Sequence, residues 1–176
     1  MKIKFYPIYL LLLAILSVFS PGAAFGQQSA NTVDYQVTYD NSTGVYSVWV
    51  VPNYNSGNVN NLGAEEIGAT AQVSLKVPTN FNISTITNVA GVWGATPLKL
   101  GPTLQTALTG KGLPAGISYY VIGKGSSETS YGTFSSGVPV KLFTFTGNGC
   151  FGPVAILAST DNFVTVSDDE LSLNTA

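Results

Sequence analysis

Apolar and polar residues alternate over short stretches of the chain, which is the pattern of half-buried β-strands. The first stretch runs from Val33 to Asp40, and an apolar stretch from Val45 to Val51 follows the turn-forming residues 41–44. Together they predict a hairpin that ends at Pro52. The cleanest alternation covers residues 69–77 and predicts another strand.

A long apolar region late in the chain predicts the centre of the fold. The β-prone runs Val138–Thr146 and Pro153–Leu157 flank Gly147–Cys150, a segment suited to a turn. Because glycine and asparagine tolerate positive φ, the region predicts a hairpin through the middle of a sheet. Alternation places Leu142 and Phe143 on opposite faces, and a strand that is apolar on both faces is normally an interior strand.

The remaining pattern also predicts strands and turns. Further strands are expected at 81–89 (a weaker one), Ile117–Ile122, Tyr131–Phe134 and Phe163–Val166, with an acidic tail after the last and a helical turn or two within 103–108. Eight or nine short strands without a long helical period predict an all-β fold, an antiparallel jelly-roll-like sandwich. Two polar loops, 53–68 and 123–130, are the expected location of function, since long loops in compact domains are often functional.

The N-terminus has the order of a secretory signal. Lys2 and Lys4 precede an apolar run from Phe5 to Phe19, and small residues follow up to Gly26. This pattern predicts a signal peptide over 1–26 and a secreted, extracellular chain of bacterial type. The mature residues 27–176 then form one domain, which is not an integral membrane protein after cleavage.

Charge and cysteine content exclude several functions. The sequence has nine acidic residues and seven basic ones, all lysine, with no arginine and no histidine. Without a basic patch we expect no nucleic-acid partner, and without histidine the commonest acid–base residue is missing. The single cysteine, Cys150, excludes an intrachain disulfide and is interpreted as a small hydrophobe beside a turn. No catalytic residue and no cofactor are predicted.

Carboxylates leave two alternatives open. Glycoside hydrolysis needs two of them, and Glu65, Glu66, Glu128 and the cluster 168–170 are available. A structural calcium ion takes oxygen ligands, for which Asp40–Ser42, Asp161–Asn162 and Asp168–Glu170 are candidates. None of these has the spacing of an EF-hand loop, and Asp40 also suits an Asx turn.

Aromatic residues are the candidate ligand contacts. Carbohydrate binding uses exposed rings against sugar faces, and the candidates here are Tyr54, Trp49, Trp93 and Tyr120. Aromatic side chains of β-domains more often lie in the core. Tyr54 is the exception to watch, because it lies in a polar loop.

Three segments carry a resemblance to known domains. They are the alternating strand Ala71–Pro78 followed by Phe81, the aromatic strand Ile117–Ile122, and Gly137–Phe145 with its L-F-x-F ending. The pattern resembles the cohesin-like and carbohydrate-binding-module-like sandwich domains of bacterial extracellular proteins. This resemblance implies a jelly-roll of about nine strands and a non-catalytic role in docking partner modules or assembling surface proteins, with no specific binding residue carried over.

The first functional hypothesis is therefore an exported, non-enzymatic β-sandwich that binds a protein partner in adhesion or surface assembly. The alternative is a carbohydrate-binding module with a polysaccharide partner, and the second alternative is a glycan-active enzyme. Aromatic rings aligned on an exposed face would favour sugar. A flat face of Thr, Ser and Asn would favour protein.

Overall fold

The first predicted hairpin is present as expected. In the computed structural model, which describes residues 31–59, 61–68, 70–125, 127–148 and 152–175, strand β1 (Val33–Asp40) pairs antiparallel with β2 (Val45–Pro52). At the turn, the Asp40 carboxylate accepts hydrogen bonds from the backbone and side chain of Ser42 at 2.8 and 2.7 Å. Gly44 closes it with a φ of 70°, a conformation that glycine adopts without strain.

Two further strands complete this first sheet. Strand β9 (Val140–Gly147) lies between β2 and β5 (Ile83–Asn88), which gives the order β1-β2-β9-β5. The prediction of an interior strand at this point of the chain is confirmed.

The predicted facing of β9 is wrong at one point. Val48 pairs with Phe143 and Trp49 with Lys141, so Leu142 is an extra residue in a β-bulge. The bulge resets the alternation, and both Leu142 and Phe143 are buried in the same core. Period-two alternation by itself predicts opposite faces for these two residues.

The second sheet contains the other half of the predicted central hairpin. Its strands are β4 (Gln72–Pro78), β6 (Leu98–Leu100), β7 (Ile117–Gly123) and β10 (Ala155–Ile156), in the order β10-β4-β7-β6. Because β9 belongs to the first sheet and β10 pairs with β4, the predicted hairpin is wrong. Local turn residues indicate where the chain turns, but the strand's partner is decided by long-range pairing.

The two polar loops meet in a short ribbon. Strand β3 (Ile67–Gly68) ends the first loop and pairs antiparallel with β8 (Thr129–Ser130), which ends the second. The strand predicted over Tyr131–Phe134 is therefore displaced, since regular pairing ends at Ser130 and the following residues are irregular.

Facing side chains of the two sheets share one core. Val48 and Phe145 of the first sheet and Leu75 and Ile122 of the second are all buried in this cluster. Burial of such apolar surface is the main force that holds the sheets together. The fold is thus all-β and antiparallel, as predicted.

A helix covers the other face of the second sheet. Helix α1 (Asn162–Leu171) packs there beside a 3₁₀ turn at Thr106–Leu108, and Phe163 stacks on Tyr119 with ring centroids 3.7 Å apart. The predicted strand Phe163–Val166 and the free acidic tail are therefore wrong. The Asp161 side chain caps the helix by accepting a hydrogen bond from the Phe163 N–H at 3.0 Å.

The chain from Thr32 onward forms one compact unit. Within the described ranges, no helix has the length and apolarity needed to cross a membrane. The predicted signal peptide and Cys150 lie outside the described residues.

Candidate functional site

The outward side of the first sheet carries a row of hydroxyl groups. Thr38 on β1 lies opposite Ser47 on β2, Ser47 opposite Thr144 on β9, and Thr144 opposite Thr87 on β5. Strand alternation turns these residues away from the core, which leaves Thr38 and Thr87 exposed. We call this row of four residues the hydroxyl face.

Trp49 lies beside the hydroxyl face, and its ring is already engaged. The indole N–H donates to Thr38 Oγ1 at 3.0 Å. The ammonium group of Lys141 lies 4.6 Å from the ring centroid, in a cation–π contact. Since Lys141 covers the indole, Trp49 does not present an open ring to a sugar.

Two of the predicted ligand contacts are core residues. Trp93 and Tyr120 are each only 4% exposed. The Trp93 indole N–H donates to the carbonyl of Ala90 at 2.8 Å, and the Tyr120 hydroxyl accepts from the Ile83 N–H at 3.2 Å. Both polar groups are satisfied inside the protein, as expected for buried aromatic residues.

Tyr54 lines a cavity of about 160 Å³ at one end of the core, beside the β3–β8 ribbon. The cavity wall includes apolar side chains of the first sheet, such as Val50 and Leu142, and the acidic residue Glu66. Its aromatic residues are Tyr35, Tyr54, Trp93, Tyr131 and Phe134. We call these five rings the aromatic cage.

The β3–β8 ribbon holds Glu66 and Tyr131 at this cavity. The Tyr131 N–H donates to the Glu66 carbonyl and the Glu66 N–H donates to the Gly132 carbonyl, both at 2.8 Å. The Tyr131 ring packs closely against Gly68 and Gly91, where an added Cβ would come within 3.1 and 2.7 Å of ring carbons. Glycine at both positions therefore leaves room for the Tyr131 ring, which a Cβ atom would crowd.

Polar atoms in the cavity wall lack partners within the protein. Glu66 Oε2 and the Tyr131 hydroxyl are both buried, and neither atom has a hydrogen-bond partner among the described residues. Burial raises the pKa of Tyr54 to about 12, and the charge of Glu66 and a hydrogen bond to it add to the effect. Burial also raises the pKa of Tyr131 to about 12, with a smaller contribution from Tyr35. Such phenols stay protonated at neutral pH.

Among the acidic candidates in the described part of the chain, only Glu66 lines this cavity. Glu65 accepts a hydrogen bond from Ser130 Oγ at 2.6 Å, and Asp40 makes the Asx turn. Asp161 pairs with Lys76 at 2.6 Å, and the 168–170 cluster lies on α1. Across the part of the chain that the structure describes, no three acidic or cysteine side chains gather as metal ligands. The calcium ion stays a prediction.

Two of the predicted ligand contacts, Tyr54 and Trp93, line this cavity. Glu66 is selected in the sequence only as one of several carboxylates for glycoside hydrolysis, and Tyr35 and Phe134 are not selected at all. The available signal was a pair of polar loops, each bordered by an aromatic residue. Their pairing through β3 and β8 is what brings Glu66 and Tyr131 together.

Comparison of the chain with protein-family models, with curated proteins and with solved structures found no match in any of the three.

Proposed function

We propose that this protein is an exported, non-catalytic β-domain that binds a protein partner through the hydroxyl face, in adhesion or surface assembly. The supporting observation is the row Thr38–Ser47–Thr144–Thr87, which crosses all four strands of the first sheet. Non-obligate protein interfaces are about as polar as the rest of a protein surface, and such a row offers donors and acceptors in a regular array. The partner we expect therefore has a polar surface rich in amide and hydroxyl groups.

The same surface gives less support to carbohydrate binding. Sugar platforms use open aromatic rings, whereas Lys141 lies over the ring of Trp49. Trp93 and Tyr120 are buried, and Tyr54 lines a cavity instead of a flat face.

The strand order supports the jelly-roll arrangement that the resemblance to cohesin-like domains implies. Among the eight strands of the two main sheets, the chain changes sheets at every connection except β1–β2 and β6–β7. Frequent crossing between two facing sheets is typical of jelly-roll domains. We propose this arrangement for the domain, and a structural-module role is consistent with it, although fold analogy by itself does not assign function.

A site-specific crosslinking experiment tests the proposal. A photoreactive amino acid at Thr87 on the hydroxyl face is expected to form adducts with one surface protein on the cells that produce the chain. The same group at Thr165, which is exposed on α1, serves as the matched control and should form none.

Quantitative binding then follows with the purified partner. We expect Thr87→Arg to weaken binding at least about tenfold, because a long charged side chain disrupts a packed interface, while Thr165→Arg has no effect. Equal adducts at both positions would contradict the proposal. Strong binding in a broad glycan screen would favour the carbohydrate-binding alternative.

A further inference from the structure

The cavity beside the β3–β8 ribbon is a second feature with its own chemistry, independent of the hydroxyl face. It combines the five rings of the aromatic cage with one carboxyl group, that of Glu66. Arrangements of this kind recognise quaternary ammonium groups, because aromatic faces attract a cation and a carboxylate neutralises it. We infer that this cavity binds an alkylammonium cation.

The Glu66 carboxyl group is hydrogen-bonded to Tyr54, but one of its oxygens lacks a partner in the protein. Glu66 Oε2 is buried, and no described group donates a hydrogen bond to it. The described wall of the cavity contains no lysine, and the sequence contains no arginine or histidine. A buried carboxyl oxygen without a hydrogen-bond donor or a cation is costly, so a ligand cation would supply the missing partner of Oε2.

The rings of the aromatic cage add no charge of their own. Tyr131 is only 7% exposed, and its hydroxyl also lacks a partner within the protein. Because burial raises the pKa of Tyr54 and of Tyr131 to about 12, both phenols are neutral at physiological pH. Glu66 is the one acidic residue in the described wall.

Size favours a compact ligand group. The cavity measures about 160 Å³, close to an engineered cavity of about 150 Å³ that binds benzene. A trimethylammonium group is no larger than benzene, whereas a hexose has about twice as many heavy atoms. The cavity therefore suits an ammonium head group better than a sugar ring.

The same head group has two sources, a free small cation such as choline or a methylated lysine side chain of a partner. The first probe is choline. Its neutral control is 3,3-dimethyl-1-butanol, which has the same shape but carries a carbon atom in place of the charged nitrogen. The second probe is a blocked trimethyllysine. Binding of each to the mature chain is measured by calorimetry and by the NMR shift of the Trp93 indole N–H.

We expect choline or trimethyllysine to bind at least about tenfold more tightly than the neutral alcohol. Preference for choline identifies a free cation as the source, and preference for trimethyllysine identifies a side chain. Glu66→Gln keeps the shape of the side chain and should remove this preference. Glu65→Gln is the matched control and should keep it, because Glu65 bonds to Ser130 and is not part of the cavity wall.

Three results would overturn the inference. One is equal affinity for choline and its neutral analogue, a comparison that needs no variant to fold. Another is unchanged cation binding in Glu66→Gln. The third is binding of none of the probes at concentrations up to about 50 mM, well above the millimolar range of weak specific binding.

Discussion

Replacing Phe163 by alanine tests the position of helix α1 most directly. Phe163 is fully buried at 0% exposure, and its ring lies parallel to that of Tyr119 within 6°. Phenylalanine-to-alanine changes in a core cost about 3–5 kcal/mol, from the lost transfer energy and the cavity left behind. Small domains have a free energy of unfolding of about 5–15 kcal/mol, so the variant should remain folded but be much less stable.

Urea unfolding measures this loss. With a urea dependence of about 1–3 kcal/mol per molar, the midpoint should fall by roughly 1–5 M. Thr165→Ala changes an exposed residue of the same helix and should alter stability by less than about 0.5 kcal/mol. A loss below about 1 kcal/mol for Phe163→Ala would refute the packing of α1 on the second sheet.

Alkaline titration supplies a second measurement on the same variant. Burial raises the pKa of Tyr119 to about 12, and the charge of Asp161 contributes less. Removal of the stacked Phe163 ring admits water, so the pKa should fall toward the ordinary value of about 10. The change is visible in the ultraviolet absorbance of tyrosinate. An unchanged titration would show that the ring of Phe163 does not shield Tyr119.

Two further changes test other contacts. In Gly147→Ala the new Cβ would lie 2.3 Å from a ring carbon of the buried Phe81. We therefore expect the free energy of unfolding, measured with urea, to fall by about 1–3 kcal/mol. The control Gly123→Ala should be nearly neutral, because no atom lies within 4 Å of the added Cβ. Similar losses for both glycines would contradict this packing. Burial by itself raises the pKa of Asp161, but hydrogen bonds from Lys76 and from the helix backbone outweigh it, and the net pKa is lowered. Since a lowered carboxyl pKa stabilises the fold above the unfolded value near 4, Asp161→Asn should cost about 0.5–1 kcal/mol at pH 7, and this difference should disappear as the pH falls to about 2. A pH-independent difference would exclude the ionic contribution.

The candidate site was only partly accessible to sequence reasoning. Tyr54 stood out as an aromatic residue in a polar loop, and it does line the cavity. Glu66 and Tyr131 each lie at the end of a polar loop, but they are far apart in the chain, and nothing local in the sequence indicates that they meet. Their backbone contacts through the ribbon create the site.

Helix α1 shows why local pattern misled at one end of the chain. Val164, Thr165 and Val166 are β-branched and favour strands, and the acidic residues 168–170 oppose the helix dipole at its C-terminal end. Propensity differences of this kind are below about 1 kcal/mol per residue. The Asp161 cap and the stacking of Phe163 on Tyr119 outweigh them.

The amino-acid sequence by itself determined the features that depend on neighbouring residues. These are the β1–β2 hairpin with its Asx turn, the alternation of β4, the strand β7 and the all-β class. The sequence determines them because side-chain alternation and turn chemistry act over a few residues. Tertiary structure alone decided which sheet each half of 138–157 joins. It also decided where the bulge at Leu142 changes the side of the sheet on which the side chains lie, and that Glu66 lines the same cavity as the aromatic cage. Those outcomes depend on burial and pairing between distant segments, whose energies exceed local preferences and leave no periodic trace in the chain.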